Sequence, residues 1–215
     1  MPLPATPRAQ NPSHPILLRS RARLRGFPII AARKHRPHIS SQELKLNKGV
    51  MSKLNETFLS GLSDIYDAEK QLLKALPKMS QAAENESLKT GFETHLNETR
   101  QHVKRIEQIF ESLDEKPEAK KCKAMKGLLE EGSEVIEKEE GDAALIAAAQ
   151  KVEHYEIAAY GSLKFWAEVL DEDAAVHLLE QTLNEERATS EKLNEVAKTV
   201  SQEENEEETA ESDKG

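Results

Sequence analysis

The chain has 215 residues, of which 37% are hydrophobic and only 4% aromatic, a length that suits one medium-sized domain with its own core. Residues 1–50 hold ten of the 30 basic residues and one acid, Glu43, which leaves 20 basic and 38 acidic residues for 51–215. Because so acidic a domain would be repelled by phosphate groups, we expect neither nucleic acid nor anionic membranes as partners.

The single cysteine, Cys122, excludes an intrachain disulfide and favours a reducing compartment. Lys121 and Lys123 beside it would favour its thiolate, but a lone cysteine of this kind is more often incidental. No apolar run approaches the roughly 20 residues that a bilayer-spanning helix needs. We therefore expect a cytoplasmic protein without a membrane partner.

Residues 1–50 combine prolines with clustered arginines and sustain no helical or strand period, so we expect a basic, disordered extension. Three interpretations stay open: upstream sequence translated from a mis-assigned start, an organellar transit peptide, or a functional basic arm. We favour the first, with Met51 as the true start, because the codons of Lys48-Gly49 can spell a ribosome-binding site just before it.

Four long stretches after Met51 carry apolar residues at three- and four-residue intervals, the pattern of helices that bury one face. Pro77 is expected to kink or split the first helix, since proline removes a backbone hydrogen bond. Ser87 is a candidate cap for the second helix, and Asp142 for the third. The four stretches cover about residues 54–83, 88–113, 145–170 and 179–200.

A long charged connection separates the second and third of these helices, over residues 112–141, and it contains a shorter amphipathic piece. A crossover of this kind is what a ferritin-like topology requires, whereas a plain up-and-down bundle would not need it. We predict an all-α, ferritin-like four-helix bundle over residues 51–200, with a short helix in the crossover. Residues 201–215 predict an acidic, disordered tail.

Carboxylates interrupt the apolar faces of three helices, where an unpaired charge is costly to bury. Glu69 lies four residues after Ile65, in the middle of the first apolar face. Glu186 is equally central on the fourth helix, and Glu153 and Glu156 form an E-x-x-E on the third. Each of them therefore needs a partner or a metal ion.

The second helix places His95, Glu98 and His102 three and four residues apart, with both histidines inside the apolar sector and Glu98 at its edge. Which histidine would be a ligand stays open. Taken singly, such residues are more often part of a hydrogen-bonded core or a salt bridge. Since all four long helices contribute, the set favours a bundle site for two metal ions, with iron or manganese preferred over structural zinc.

Several segments carry a resemblance to a known family. The most specific is AAAQKVEHYEIAAYG, within DAALIAAAQKVEHYEIAAYGSL (142–163). The others are LSDIYDAEKQLLKALPKM (62–79), HLNETRQHVKRIEQIFE (95–111) and LNEERATSEKL (183–193). Over about residues 52–200 the chain resembles the YciE/YciF ferritin-like family of bacterial stress proteins.

The resemblance implies a fold similar to rubrerythrin and bacterioferritin, a homodimer, and a site for two metals, often described as a ferroxidase centre. Two positions depart from the general ferritin-like pattern: Gln101 and Thr189 stand where histidine is frequent, three residues after Glu98 and Glu186. The site is therefore expected to be rich in carboxylates. The pattern carried over gives Glu69, Glu98 with His95 or His102, Glu153 or Glu156, and Glu186.

Two functions follow. The first is a non-haem di-iron oxidase that consumes dioxygen or peroxide, with Tyr66 or Tyr155 as a hydrogen-bond or electron donor, although a core tyrosine is the simpler reading of both. The second is a non-enzymatic structural or interaction protein of the stress response with a residual metal site. We favour the first, since the inner faces hold no lysine or arginine to neutralise Glu69, Glu156 and Glu186.

Overall fold

The computed structural model describes the backbone of residues 52–212 and the side chains as far as residue 203. This part of the chain forms five α-helices and no strand, which confirms the predicted all-α class. The proposed roles of residues 1–50 and the start at Met51 lie outside the described residues. The helices are α1 (Lys53–Ala82), α2 (Glu86–Ser112), α3 (Lys123–Glu137), α4 (Asp142–Val169) and α5 (Asp173–Ser212).

Helix α1 begins after Ser52, whose Oγ accepts a hydrogen bond from the Asn55 amide at 3.1 Å. It continues through Pro77 as one helix of 30 residues, so the proline does not split it. Leu76 and Met79 on either side of the proline are buried in the core, and their packing offsets the one hydrogen bond that proline removes.

Two predicted caps act differently in the structure. Asn85, not Ser87, caps α2, because its Oδ1 accepts from the Ser87 and Leu88 amides at 2.9 and 3.2 Å. Asp142 is the first residue of α4, and its carboxylate accepts from the Glu84 and Asn85 amides at 3.1 and 2.6 Å. The start of α4 is thereby fixed to the turn between α1 and α2.

The helices follow a ferritin-like order. Asp142 lies beside Glu84, at the end of α1, while Leu163 lies beside Gly61, near its beginning, so α1 and α4 are antiparallel. Helix α4 therefore begins at the end of the bundle opposite to the one where α2 ends. The segment between α2 and α4 therefore runs the length of the bundle, which confirms the predicted crossover with its short helix, α3.

The crossover packs on α1 and α4. The Cys122 amide donates to Asp67 at 2.8 Å, and the Gln71 side-chain amide donates to the Cys122 carbonyl oxygen at 3.1 Å. The Cys122 thiol is buried, caps α3, and lies 3.0 Å from the Tyr155 hydroxyl. Burial raises the pKa of this thiol, so the neighbouring lysines do not make it a reactive thiolate.

The core follows the apolar faces predicted from the sequence. On α1 the five apolar positions are at most 3% exposed; they are Phe58, Leu62, Ile65, Leu72 and Leu76. Gly61 lets α4 approach closely, since a Cβ there would lie 2.9 Å from Leu163 Cδ2. None of the helices within residues 52–212 has the length and apolar character needed to cross a membrane.

Helix α5 extends to Ser212, although we expected a disordered tail from residue 201 onward. The physical reason lies in composition: glutamate and alanine are good helix formers, so a segment without an apolar face can still continue a helix that is already formed. Lack of hydrophobic periodicity was therefore a poor guide to the end of this helix.

Candidate metal centre

Six of the seven predicted ligands meet in the interior of the bundle. All six are at most 3% exposed, and each of the four long helices contributes at least one. The six are Glu69 from α1, His95 and His102 from α2, Glu153 and Glu156 from α4, and Glu186 from α5.

Three of these residues form one cluster, which we call the His102 group: Glu69, His102 and Glu186. The His102 Nδ1 atom lies 3.4 Å from Glu69 Oε1 and 3.0 Å from Glu186 Oε1. Neither contact has the geometry of a hydrogen bond, so the ring nitrogen faces the two carboxylates without a bonded partner.

A second cluster, the His95 group, consists of His95, Glu153, Glu156 and Glu186. The His95 Nε2 atom lies 3.4 Å from Glu153 Oε1 and 3.8 Å from Glu186 Oε2. In both groups the ligand atoms lie within 4.8 Å of one another, a spacing that one ion could span. Glu186 belongs to both groups, with Oε1 toward one and Oε2 toward the other.

The donor atoms of these residues fit metal ions, because buried polar atoms are otherwise nearly always hydrogen-bonded. Both oxygens of Glu156 and of Glu186 are buried without a hydrogen-bond partner among the described residues. One oxygen each of Glu69 and Glu153 is likewise buried without a hydrogen-bond partner among these residues. So are the two ring nitrogens that face the carboxylates, His95 Nε2 and His102 Nδ1. Carboxylate oxygen and imidazole nitrogen are the ligands that iron and manganese take in helical bundles.

The ring nitrogen of His102 that faces away from the other candidate ligands contacts the carboxylate of a charged pair, Glu185 and Arg105. The His102 Nε2 atom is hydrogen-bonded to Glu185 at 2.8 Å, and Arg105 donates to the same carboxylate at 2.8 Å. Burial alone would raise the pKa of Glu185, but the hydrogen bonds and charges of His102 and Arg105 lower it to about 2. A carboxylate that orients a ligating imidazole through its other nitrogen is a common feature of metal sites.

His95 is held more loosely. Its Nδ1 atom lies 3.5 Å from Glu98 Oε2 and 3.5 Å from the Thr189 hydroxyl, which also donates to Glu98 at 3.4 Å. Glu98 is 28% exposed and belongs to neither group, so the structure places this predicted ligand behind His95. Both histidines, whose roles the sequence left open, face the carboxylates.

Three further residues of the centre did not emerge from the sequence. Tyr160 is 1% exposed and donates a hydrogen bond to Glu69. Its position four residues after Glu156, on the same helical face, was the available signal. Glu185 and Arg105 lie off the buried apolar faces, so hydrophobic periodicity gave no sign of them.

The hydroxyl groups of Tyr66 and Tyr155 bond to carboxylates outside the two groups, and Tyr66 is buried in the core, as the simpler interpretation of it predicted. The Tyr66 hydroxyl donates to Glu107 at 2.7 Å, and burial with that bond raises the pKa of Tyr66 to about 12. The Tyr155 hydroxyl donates to Asp64 at 2.8 Å, beside Cys122. His154, between Glu153 and Glu156 in the sequence, is exposed.

Burial and neighbouring charges shift the pKa values of four groups in the site. Burial raises the pKa of Glu153 to about 8 and that of Glu156 well above its usual value. Burial would lower the pKa of His95, but the Glu153 charge and the bond to Glu98 raise it to about 9. The pKa of His102 is likewise raised, to about 12, by Glu69 and Glu185 against the effect of burial.

Sequence comparisons place the chain in a family. A family model described as a domain of unknown function (DUF892) matches residues 53–206. Protein YciF of Escherichia coli (strain K12) is 51% identical over 152 residues, which are 68% of this chain and 92% of YciF.

Comparison with solved structures supports the same family. The crystal structure of the E. coli stress protein YciF matches with a TM-score of 0.68 at 49% identity, over 71% of this chain and 99% of that one. YcfI from Rhodopseudomonas palustris matches at 0.65 and 45% identity, over 66% and 94%. A Xanthomonas campestris protein, at 22% identity and 0.58, over 73% and 99%, shares the fold alone. The chain therefore belongs to the YciF family, as its sequence motifs predicted.

Proposed function

We propose that this chain is a dimetal protein of the stress response that oxidises bound Fe(II) with dioxygen or peroxide. The observation that carries the proposal is the position of Glu186, whose two unpartnered oxygens face two separate clusters of buried donor atoms. A carboxylate shared in this way is suited to bridge two ions in a helical bundle. The E. coli relative is described as a stress protein, which supports the physiological setting.

Iron is the metal we favour, with manganese as the alternative. The donor set has four carboxylates, two imidazoles and no thiolate, which suits either ion better than structural zinc. When bound, Fe(II) would supply the electrons that reduce the oxidant. The sharing of Glu186 would keep the two ions close, as a two-electron reaction requires.

The protein's own residues would hold and orient this centre. Glu185 fixes the ring of His102 so that Nδ1 faces Glu69 and Glu186, where an ion would be held, and Arg105 keeps Glu185 ionised. Tyr160 donates to Glu69 and thereby fixes one of its oxygens, leaving the other free for metal. The six candidate ligands are at most 3% exposed, which limits the access of bulk water to the centre.

The non-enzymatic stress protein is the second candidate, and one observation favours it. Burial raises the pKa values of Glu153 and Glu156, so protons can take the place of a metal ion in neutralising these two carboxylates. In that case the chain would bind metal weakly or not at all, and its function would lie in its surfaces.

Anaerobic loading with Fe(II), followed by air or hydrogen peroxide, separates the two candidates. The full chain is compared with Glu69→Ala, Glu186→Ala and the exposed control Glu191→Ala on α5. We expect rapid oxidation, seen as an absorbance rise, in the wild type and in the control, and its loss in the two site variants. Absence of oxidation in a folded, iron-loaded wild type would leave the non-enzymatic candidate.

We also propose a homodimer and a cytoplasmic location. Phe165 and Val169 on α4 are 60% and 54% exposed, and exposed large apolar side chains support a contact with another chain. Sedimentation of the wild type beside Phe165→Ser tests this contact: we expect a dimer that the substitution weakens. A wild-type monomer at micromolar concentration would contradict it.

A further inference from the structure

A cavity of about 270 Å³ opens between α2 and α5 and ends at the His95 group. Its buried lining includes His95 and Glu153, which are 2% and 3% exposed, and the partly exposed Glu98 lines it as well. The cavity therefore leads from the surface to a part of the candidate metal centre that is otherwise closed to solvent.

The walls of this cavity are apolar. Leu88 and Phe92 from α2 face Leu193 and Val196 from α5 across it. An apolar cavity of about 150 Å³ is sufficient to hold a benzene ring, and pockets for drug-sized ligands begin at about 300 Å³. The cavity thus suits one small molecule with an apolar body.

The polar side chains of the cavity are of both kinds. Acidic Glu98 and Glu153 lie beside His95, and Lys192 lines the same cavity. A neutral group that both accepts and donates hydrogen bonds can pair with either kind of side chain. The hydroperoxide group has this chemistry.

We propose that the cavity binds small organic hydroperoxides, with the apolar body between α2 and α5 and the hydroperoxide group at His95. This inference rests on the proposed function, since it names the oxidant of that site. Reduction of the O–O bond to the corresponding alcohol and one water molecule would take two protons from solvent and two electrons. Two Fe(II) ions, when bound, would supply one electron each and become Fe(III).

Gly91 gives the means to test this assignment. It lines the cavity, and a Cβ at this position would meet no atom within 4 Å, so Gly91→Leu fills the cavity without a clash. Gly127 on α3 is a matched control, since it is also helical, half-buried and open, but lies outside this cavity. Leucine is the better helix former at both positions, so neither change threatens the fold.

The first readout needs no metal. Binding of 2-phenyl-2-propanol, the alcohol formed from cumene hydroperoxide, is measured by NMR titration of the full-length apo chain. We expect saturable binding that Gly91→Leu weakens by more than about tenfold, because the substitution removes the space for a buried ring. Gly127→Leu should bind as the wild type does.

The second readout compares two oxidants on the iron-loaded chain. Gly91→Leu should slow oxidation by cumene hydroperoxide by more than about tenfold and that by hydrogen peroxide by less than about threefold, since only the larger oxidant needs the cavity. Equal slowing with both oxidants, or no effect of Gly91→Leu on either readout, would overturn the assignment.

The two readouts also separate this inference from the function on which it rests. Alcohol binding without any oxidation of loaded Fe(II) would overturn both the di-iron oxidase and the hydroperoxide assignment. Oxidation by hydrogen peroxide without alcohol binding would overturn the cavity assignment alone.

Discussion

The two halves of the candidate centre share Glu186 but are supported very differently. In the His102 group the imidazole is fixed by Glu185 at 2.8 Å, which Arg105 holds in turn. In the His95 group the corresponding support is weaker, because Nδ1 of the imidazole lies 3.5 Å from both the partly exposed Glu98 and Thr189, and the cavity ends beside it. The difference suggests one rigid, closed half that retains its ion and one accessible half that meets the oxidant.

Removal of the shared ligand should have the largest effect. Glu186→Gln keeps the size of the side chain but removes the charge that faces both groups, so affinity for both ions should fall by more than about 100-fold. Equilibrium dialysis with Fe(II) or Mn(II) measures this, with Glu191→Gln as the control. Loss of only one ion would show that Glu186 does not bridge the two halves.

Loss of either histidine should abolish metal binding in one half of the centre and leave it in the other. His102→Ala and His95→Ala should each reduce binding from about two ions per chain to about one, because each removes the only imidazole of its group. Metal analysis after gel filtration gives the stoichiometry. The ion retained by His95→Ala should dissociate more slowly than the one retained by His102→Ala. Equal dissociation rates would contradict the distinction between a closed and an open half.

Glu185 and Glu98 contact the outer ring nitrogens of His102 and His95. Substitution of either should have a smaller effect on metal binding, and the two effects should differ. Glu185→Gln should weaken binding in the His102 group by about 10- to 100-fold, the range for the loss of an orienting carboxylate. Glu98→Gln should cost only about twofold to fivefold, since its contact with His95 is long and partly exposed. Competition with a chelating dye measures both. A larger effect of Glu98→Gln would indicate that Glu98 moves in to bind metal.

The pH dependence follows from the raised pKa values of the apo site. Metal ions must displace the protons that these raised pKa values keep on the candidate ligands, so binding should release protons at pH 7 and affinity should rise with pH. The release should decrease above pH 8 to 9, because Glu153 and His95 then lose their protons unaided. Calorimetry in buffers of different ionisation enthalpy counts these protons.

The smallest expected effect is on the stability of the apo protein, and it follows from the same pKa values. A group whose pKa is raised by folding stabilises the folded state at low pH and loses that contribution as the pH passes its folded value. Because the pKa values of Glu153 and His95 are raised, we expect the Tm of the apo chain to fall as the pH increases from about 6 to 9. The metal-loaded chain should not show this fall, and an apo Tm that rises over this range would contradict the assigned protonation.

The sequence was sufficient to predict that six candidate ligands lie inside the bundle, because each interrupts an apolar face at helical spacing. It could not assign them to two groups, since that depends on which helices are adjacent. Glu185 and Arg105 were missed because they lie off the buried faces, and Glu98 was taken for a ligand because it lies between two histidines. The Asp142 carboxylate shows the same limit, since its partners belong to another turn of the chain.

The most direct test of the dimetal centre is an anomalous difference map from crystals of the protein soaked anaerobically with Fe(II). We predict two peaks, one between His102 and Glu186 and one between His95 and Glu186, in the wild type and in Glu191→Gln. Both peaks should be lost in Glu186→Gln. A map without peaks at Glu186, or with iron only at exposed carboxylates, would contradict the account.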